Sequence, residues 1–102
     1  MHTLHRAACV ALLLCPSILA QDWARQSVSG PTARSQARMV YDSARGKAVL
    51  FGGAPPWAPD SDETWLYDGS WSQATPSTWP SARQAFGFCY DSQRQVAVLF
   101  GG

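Results

Sequence analysis

Apolar and polar residues follow one another in short blocks along residues 31–102, a pattern typical of β-strands joined by turns. Two largely apolar runs that end in an aromatic residue, Ala37–Tyr41 and Ala85–Tyr90, are each followed by Asp-Ser and a polar tip. Because an Asp side chain at this place bonds to the backbone two residues further on, each run is predicted to enter a hairpin turn. The return strands are predicted at Ala48–Phe51 and Val96–Phe100, which are continuously apolar and are therefore expected to be covered on both faces.

The residues between the two hairpins predict two further strands. The first is Glu63–Tyr67, in which Trp65 and Tyr67 are expected to share one face. Asp68-Gly69 is a strong signal for a two-residue turn, and a short fourth strand is predicted at Ser70–Gln73. No segment after Ala20 has helical periodicity. The pattern therefore predicts an all-β chain that folds as antiparallel four-stranded sheets.

The chain repeats itself after 49 residues. Pro31–Gly53 aligns with Pro80–Gly102 without a gap, and 13 of the 23 positions are identical. A tryptophan precedes each copy, Trp23 before the first and Trp71 before the second. The second copy reaches Gly102, the last residue, where the first continues into a loop and two more strands, so we expect a structural unit that is cut in half.

Each copy presents its motifs in one order: Pro-x-x-Arg, an apolar strand, a Tyr-Asp turn and an apolar strand that ends in Phe-Gly-Gly. In the first copy a variable loop, Thr-Trp-x-Tyr-Asp and a later Trp follow. This set resembles the kelch repeat, the blade unit of galactose-oxidase-like β-propellers. The resemblance implies one blade at residues 31–79 and the first half of a second at 80–102, with further blades needed to close the propeller. It also implies that residues 21–30 form an N-terminal strand, around Trp23, that closes the ring.

Residues that recur in both copies, or that lie in the third and fourth strands, are expected to have structural roles. The aromatic ones are expected to pack between blades, and the glycines to end the second strand where a side chain would not fit. These structural residues are Tyr41, Gly52, Gly53, Trp65, Trp71, Tyr90, Gly101 and Gly102.

The segment 1–20 has the order of a secretory signal peptide. Arg6 precedes an uncharged apolar run, Ala7–Ala20, which ends in a small residue. A transmembrane helix needs about 20 residues, and this run is shorter. Cleavage near Ala20 is therefore favoured over an uncleaved membrane anchor. A lipoprotein signal at Cys15 is disfavoured because Leu14 precedes the cysteine. The chain is thus predicted to be secreted or periplasmic, with no stable membrane span after cleavage.

Beyond Ala20 the charges balance, with seven basic and seven acidic side chains. This balance favours neither nucleic acid nor an acidic membrane as a partner. Both histidines lie before Ala20, and Cys89, the one cysteine after it, is expected to be a small buried residue. A copper site of the galactose oxidase type, built from Tyr41, Tyr67, Cys89 and Tyr90, is therefore not expected, and no cofactor is predicted.

One cluster of carboxylates is a weak candidate for a metal site. Asp60, Asp62 and Glu63 have a spacing at which their oxygens could bind Ca²⁺. The segment lacks the glycine and the regular alternation of ligands found in a calcium loop, so a solvated turn is the favoured interpretation.

The candidate ligand-binding residues are Arg34, Trp57 and Arg83. In propellers of the kelch type, the loop that enters the first strand and the loop after the second open on the same face. Guanidinium groups there suit carboxylates or hydroxyls, and an exposed indole suits the face of a sugar. The favoured alternative is that each arginine braces its own loop by bonding to backbone carbonyls.

No catalytic residue is predicted, and the chain is not expected to be an enzyme. The function that the resemblance favours is non-catalytic binding of a protein or carbohydrate through the loops at one face of an exported propeller. One alternative is an N-terminal piece of a galactose-oxidase-like enzyme whose catalytic residues lie elsewhere. Another is a truncated reading frame without activity.

Overall fold

The structure, a computed structural model, describes residues 23–25 and 27–102. Six strands are found there: β1 (Arg38–Asp42), β2 (Lys47–Phe51), β3 (Thr64–Tyr67), β4 (Trp71–Gln73), β5 (Gly87–Asp91) and β6 (Val96–Phe100). The described part contains no helix, so it contains none long and apolar enough to cross a membrane. The predicted all-β fold is confirmed for these residues. The predicted signal peptide, residues 1–20, lies outside them.

The strands form two antiparallel sheets. The first has the order β1-β2-β3-β4, as predicted for a four-stranded meander, and the second pairs β5 with β6. Equivalent residues have equivalent partners, since Tyr41 lies opposite Ala48 in the first sheet and Tyr90 lies opposite Ala97 in the second. The 49-residue repeat in the sequence is therefore also a repeat in the structure.

The hairpin turns follow the predicted chemistry. The carboxylate of Asp42 accepts hydrogen bonds at 3.1 Å from the backbone amides of Ala44 and Arg45. Asp91 does the same with the amides of Gln93 and Arg94, at 3.0 and 3.1 Å. The side chain thus satisfies backbone donors that the turn leaves without a strand partner.

The first strand of each hairpin begins later than predicted. Gln36 and Ala85, which are equivalent in the repeat, have φ angles of +58° and +53°. A left-handed residue interrupts extended backbone, so β1 begins at Arg38 and β5 at Gly87. The turn before β4 is also one residue longer than predicted, because Tyr67 pairs with Trp71.

Each sheet has two unlike faces, which we call face A and face B. Strand pairing and the alternation of side chains assign them. Face A of the first sheet carries Met39, Tyr41, Ala48, Leu50, Trp65, Tyr67 and Trp71. Its face B carries Val40, Asp42, Val49, Phe51, Thr64 and Leu66. In the second sheet, face A carries Phe88, Tyr90, Ala97 and Leu99, and face B carries Cys89, Asp91, Val96, Val98 and Phe100.

Face A of the second sheet packs on face B of the first. Phe88 and Leu99 line one cavity together with Val49 of the first sheet. At the edge of this contact Phe51 and Phe86 meet edge to face, with ring centroids 5.6 Å apart and exposed fractions of 2% and 3%. They are the buried hydrophobic residues of the described part and form its core.

The remaining two faces are largely open among the described residues, although Gly30 packs on the Trp71 ring at one corner of face A of the first sheet. Val98 and Phe100 on face B of the second sheet are 44% and 83% exposed, and Cys89 is exposed as well. The expectations that β6 is covered on both faces and that Cys89 is buried are therefore wrong, because no described element packs on that face.

The structural aromatic residues divide between covered and open faces. Phe51 and the Tyr90 hydroxyl lie between the sheets, whereas Tyr41 on face A of the first sheet is 61% exposed. Trp65 and Trp71 also lie on face A, where they pack against each other with ring centroids 6.5 Å apart. Packing between sheets is thus observed for one tyrosine of the equivalent pair.

The described residues that precede β1 form no strand. Trp23 is fully exposed, and residues 23–25 and 27–30 pair with no strand of either sheet. The N-terminal strand predicted at 21–30 is not seen in these positions, while residues 21, 22 and 26 lie outside the described part. Ring closure by this segment stays a prediction.

Candidate functional site

Three loops meet at one end of the two sheets, which we call the loop end. They are residues 31–37 before β1, residues 52–63 after β2 and residues 80–86 before β5. Ser35 and Ala54 exchange backbone hydrogen bonds of 3.0 and 2.7 Å, which join the first two loops. The Gly53 amide donates to the Arg83 carbonyl at 3.0 Å and joins the third.

Gly52 permits the close approach of these loops. Its φ is +69°, and a Cβ placed on it would lie 2.6 Å from the carbonyl oxygen of Arg83. No side chain fits at that distance. The Gly-Gly pair that ends β2 therefore allows the loop before β5 to lie directly against the first sheet.

Arg34 holds the loop end together from the inside. Its side chain is only 6% exposed, and Nη1 donates to the Gly52 carbonyl and to Ser61 Oγ, each at 3.1 Å. Nη2 donates to Glu63 Oε1 at 2.9 Å, while Nε donates to the Thr32 carbonyl at 3.1 Å. Because these bonds occupy the guanidinium group, Arg34 braces its own loop.

Arg83 repeats part of this arrangement. Its Nε donates to the Ser81 carbonyl at 3.0 Å, and Nη1 donates to the Gly101 carbonyl at 2.9 Å, as Arg34 does with Thr32 and Gly52. No carboxylate of the described residues forms an ion pair with it. The guanidinium group of Arg83 therefore has more N–H groups without a protein acceptor than that of Arg34.

Trp57 stands free at the tip of the 52–63 loop. Its indole is fully exposed and its backbone has a φ of +63°. The preceding residue, Pro56, lines an open hollow of about 330 Å³ together with Ala33 and Ala54. A left-handed non-glycine residue costs on the order of 1–3 kcal/mol, so the surrounding loop must stabilise the backbone of Trp57 in this conformation.

Two of the acidic residues of the loop end, Glu63 and Asp60, accept hydrogen bonds from protein groups. Glu63 accepts hydrogen bonds from Trp65 Nε1 at 3.0 Å and from Arg34, and these two bonds lower its pKa. Asp60 accepts from Gln84 Nε2 at 3.1 Å. In residues 23–25 and 27–102 no three His, Cys, Asp or Glu side chains converge as a metal site would require. The candidate cluster of Asp60, Asp62 and Glu63 is not such a group.

A second polar cluster, not predicted from the sequence, lies between the sheets. Burial would raise the pKa of Asp42, but interactions with the Tyr90 hydroxyl and Arg45 outweigh it and lower that pKa to about 2. The Tyr90 hydroxyl is buried beside the carboxylate, outside strict hydrogen-bond geometry. Arg45 pairs with Asp42 at 2.7 Å and also donates to the Gln95 carbonyl of the second sheet at 3.2 Å. The repeated Tyr-Asp-Ser-x-Arg was the signal for this cluster.

The loop end combines rigid support with exposed groups of two kinds. Backbone hydrogen bonds hold the loops, while the Trp57 indole and part of the Arg83 guanidinium group are available to a ligand. No protein-family model, curated protein or solved structure matches this chain. The chemistry of the site therefore rests on its own residues, which offer an aromatic surface and hydrogen-bond donors.

Proposed function

We propose that this chain is part of an exported kelch-type β-propeller and that its loop end is a non-catalytic binding site for a carbohydrate or protein ligand. The observation that carries the proposal is Trp57, a fully exposed indole beside a hollow at the loop end. Export is proposed from the apolar run Ala7–Ala20.

The backbone supports the interpretation of the two sheets as successive blades. Gly52 and Gly101 have φ angles of +69° and +79°, and Gly53 and Gly102 have +98° and +100°. Face A of one sheet packs on face B of the other. A propeller repeats such a contact around its ring, so units at residues 31–79 and 80–102 suit this architecture.

The chemistry of the loop end suits a carbohydrate best. The flat indole offers an apolar surface to the C–H face of a sugar ring. The guanidinium group of Arg83 offers hydrogen-bond donors to hydroxyl or carboxylate groups. Since the supporting loops are held by backbone bonds such as Ser35–Ala54, ligand binding requires little ordering of the site.

The proposal is tested with an array of immobilised glycans and a Trp57→Ala variant. We expect the unmodified chain to bind at least one glycan class and the variant to lose about tenfold or more in affinity, equivalent to about 1.4 kcal/mol. The thermal unfolding midpoint should not change, because the indole makes no buried contact. Isothermal titration with the selected oligosaccharide measures the loss.

Trp23→Ala is the matched control, because Trp23 is equally exposed and lies outside the three loops. It should bind as the unmodified chain does. Equal affinity of the Trp57→Ala variant, or equal losses in both variants, would contradict the assignment of the site. Failure to bind any glycan would leave the protein ligand as the class to which the loop end must be assigned.

A further inference from the structure

The two sheets leave two unlike faces open at opposite sides of the stack. Face A of the first sheet exposes Met39, Tyr41 and Tyr67, with exposed fractions of 56%, 61% and 40%. Met39 and Tyr67 line a groove of about 310 Å³ on this face, which Val28 of the segment before β1 borders on one side. Face B of the second sheet exposes Val98 and Phe100. Both surfaces are mainly apolar. One is a face A and the other is a face B, and inside the chain a face A packs on a face B.

The contact inside the chain shows how face A and face B recognise each other. Tyr90 on face A of the second sheet reaches the turn of the first sheet, and its hydroxyl is buried beside Asp42 and Arg45. Arg45 in turn donates to the Gln95 carbonyl. A tyrosine from one sheet and an Asp–Arg turn from the other are therefore the polar part of this contact.

Both halves of the same pair recur on the open faces. Asp91 and Arg94 form an ion pair of 2.7 Å, the same distance as between Asp42 and Arg45, and Asp91 holds its turn through the same two backbone bonds. Arg94 has an 80% exposed side chain. On the opposite open face, Tyr41 occupies the repeat position of Tyr90. The Asp–Arg turn is thus exposed on one side of the chain, and the tyrosine is exposed on the other.

We propose that the chain associates head to tail with a second copy of itself through these surfaces. Face B of the second sheet in one copy packs on face A of the first sheet in the next, and Tyr41 of that second copy lies against the Asp91–Arg94 turn. The two surfaces differ, so the contact is heterologous and leaves one open face at each end. Such contacts extend into short filaments or close into rings.

The contact between copies is expected to be weaker than the one inside the chain. Arg38 donates to the Phe86 carbonyl at 3.1 Å inside the chain, whereas its repeat counterpart is Gly87. The Phe51–Phe86 pair is also lost, because Ala37 stands at the repeat position of Phe86. Association should therefore depend on protein concentration.

Sedimentation velocity over a dilution series tests the proposal, with Tyr41→Ser and Val98→Lys as variants. Tyr41→Ser alters face A of the first sheet and Val98→Lys alters face B of the second, and both residues are exposed, so the fold should persist. We expect the unmodified chain to form dimers and larger species as its concentration rises. Each variant alone should require about tenfold or more higher concentration to associate.

An experiment with a mixture of the two variants distinguishes the proposed contact from other modes of association. Tyr41→Ser keeps an intact face B and Val98→Lys keeps an intact face A, so the mixture should form dimers that grow no further. Trp57→Ala, at the loop end, should associate as the unmodified chain does. Because association covers face B of the second sheet, the thiol of Cys89 on that face should react more slowly with a thiol reagent when the protein concentration is high.

Three results would overturn the proposal. The first is a monomer at every concentration, and the second is association that neither Tyr41→Ser nor Val98→Lys weakens. The third is a mixture that behaves as the sum of its two components. Retained association in both variants would point instead to pairing between the edges of β6 strands.

Discussion

Arg34 is the residue that connects most parts of the loop end. Its guanidinium group joins the loop before β1 to the end of β2 and to the residue before β3. With a side chain that is 6% exposed, these bonds are largely shielded from water. Arg83 makes only the shorter-range part of the set, so the two equivalent arginines are predicted to differ in their contribution to stability.

Replacing Arg34 by alanine should lower the free energy of unfolding by about 1–3 kcal/mol, because the Gly52 carbonyl loses its arginine donor and Glu63 keeps only the bond from Trp65. Arg83→Ala is the matched control and should cost less than about 1 kcal/mol, since its bonds lie at the surface. Urea unfolding followed by circular dichroism measures both. Equal losses would show that the carboxylate pair contributes little.

At the scale of the element, the two hairpin turns depend on ionised carboxylates. The backbone bonds and the arginine partner in each turn require Asp42 and Asp91 to carry a charge. Interactions with Tyr90 and Arg45 lower the pKa of Asp42 to about 2 against the effect of burial, and Arg94 is the main cause of the lowered pKa of Asp91. The turns are therefore predicted to respond to acid.

A carboxylate with a lowered pKa in the folded state stabilises the fold above its unfolded pKa and loses that contribution as the pH falls. For Asp42 the loss should run from about pH 4 down to about pH 2. The thermal unfolding midpoint should fall within this window, where Asp91 and Glu63, whose pKa values are also lowered, add to the loss. Asp42→Asn should flatten that fall, whereas Asp62→Asn, which removes no described ion pair, should leave it in place.

The strands and turns could be predicted because their signals are local. The apolar run of β2 and the Asp that caps each turn both act within a few residues. The late start of β1 could not be predicted, because Gln36 adopts a left-handed backbone within a loop that the neighbouring segments hold. The ion pair of Glu63 could likewise not be predicted, since its partner Arg34 lies 29 residues earlier and nothing local indicates the pair.

For the molecule as a whole, packing between the two sheets is expected to determine whether the second sheet is stable. The β5–β6 hairpin alone has two strands, and an isolated hairpin of that size is marginally stable in water. Its stability must therefore come largely from packing on the first sheet, as in repeat proteins whose units depend on their neighbours. Phe51 and Phe86 are the most deeply buried residues of that contact.

Phe86→Ala should separate the stabilities of the two sheets. Its ring contacts Phe51 and Phe88, so truncation should cost about 3–5 kcal/mol. Hydrogen exchange should become fast in β5 and β6 while β2 and β3 keep more of their protection. Phe100→Ala is the control, because that ring is 83% exposed, and it should leave exchange unchanged. Uniform loss of protection in both sheets would indicate a single cooperative unit instead.

The aromatic cluster on face A also gives the chain an optical signature. Trp65 and Trp71 meet almost perpendicularly, at 83° and 6.5 Å, and Tyr67 lies 5.0 Å from Trp71. Electronic transitions of indole rings at this distance couple and produce paired bands of opposite sign in circular dichroism. Since the cluster joins β3 to β4, the loss of these bands on heating would report the separation of that strand pair, independently of the backbone signal.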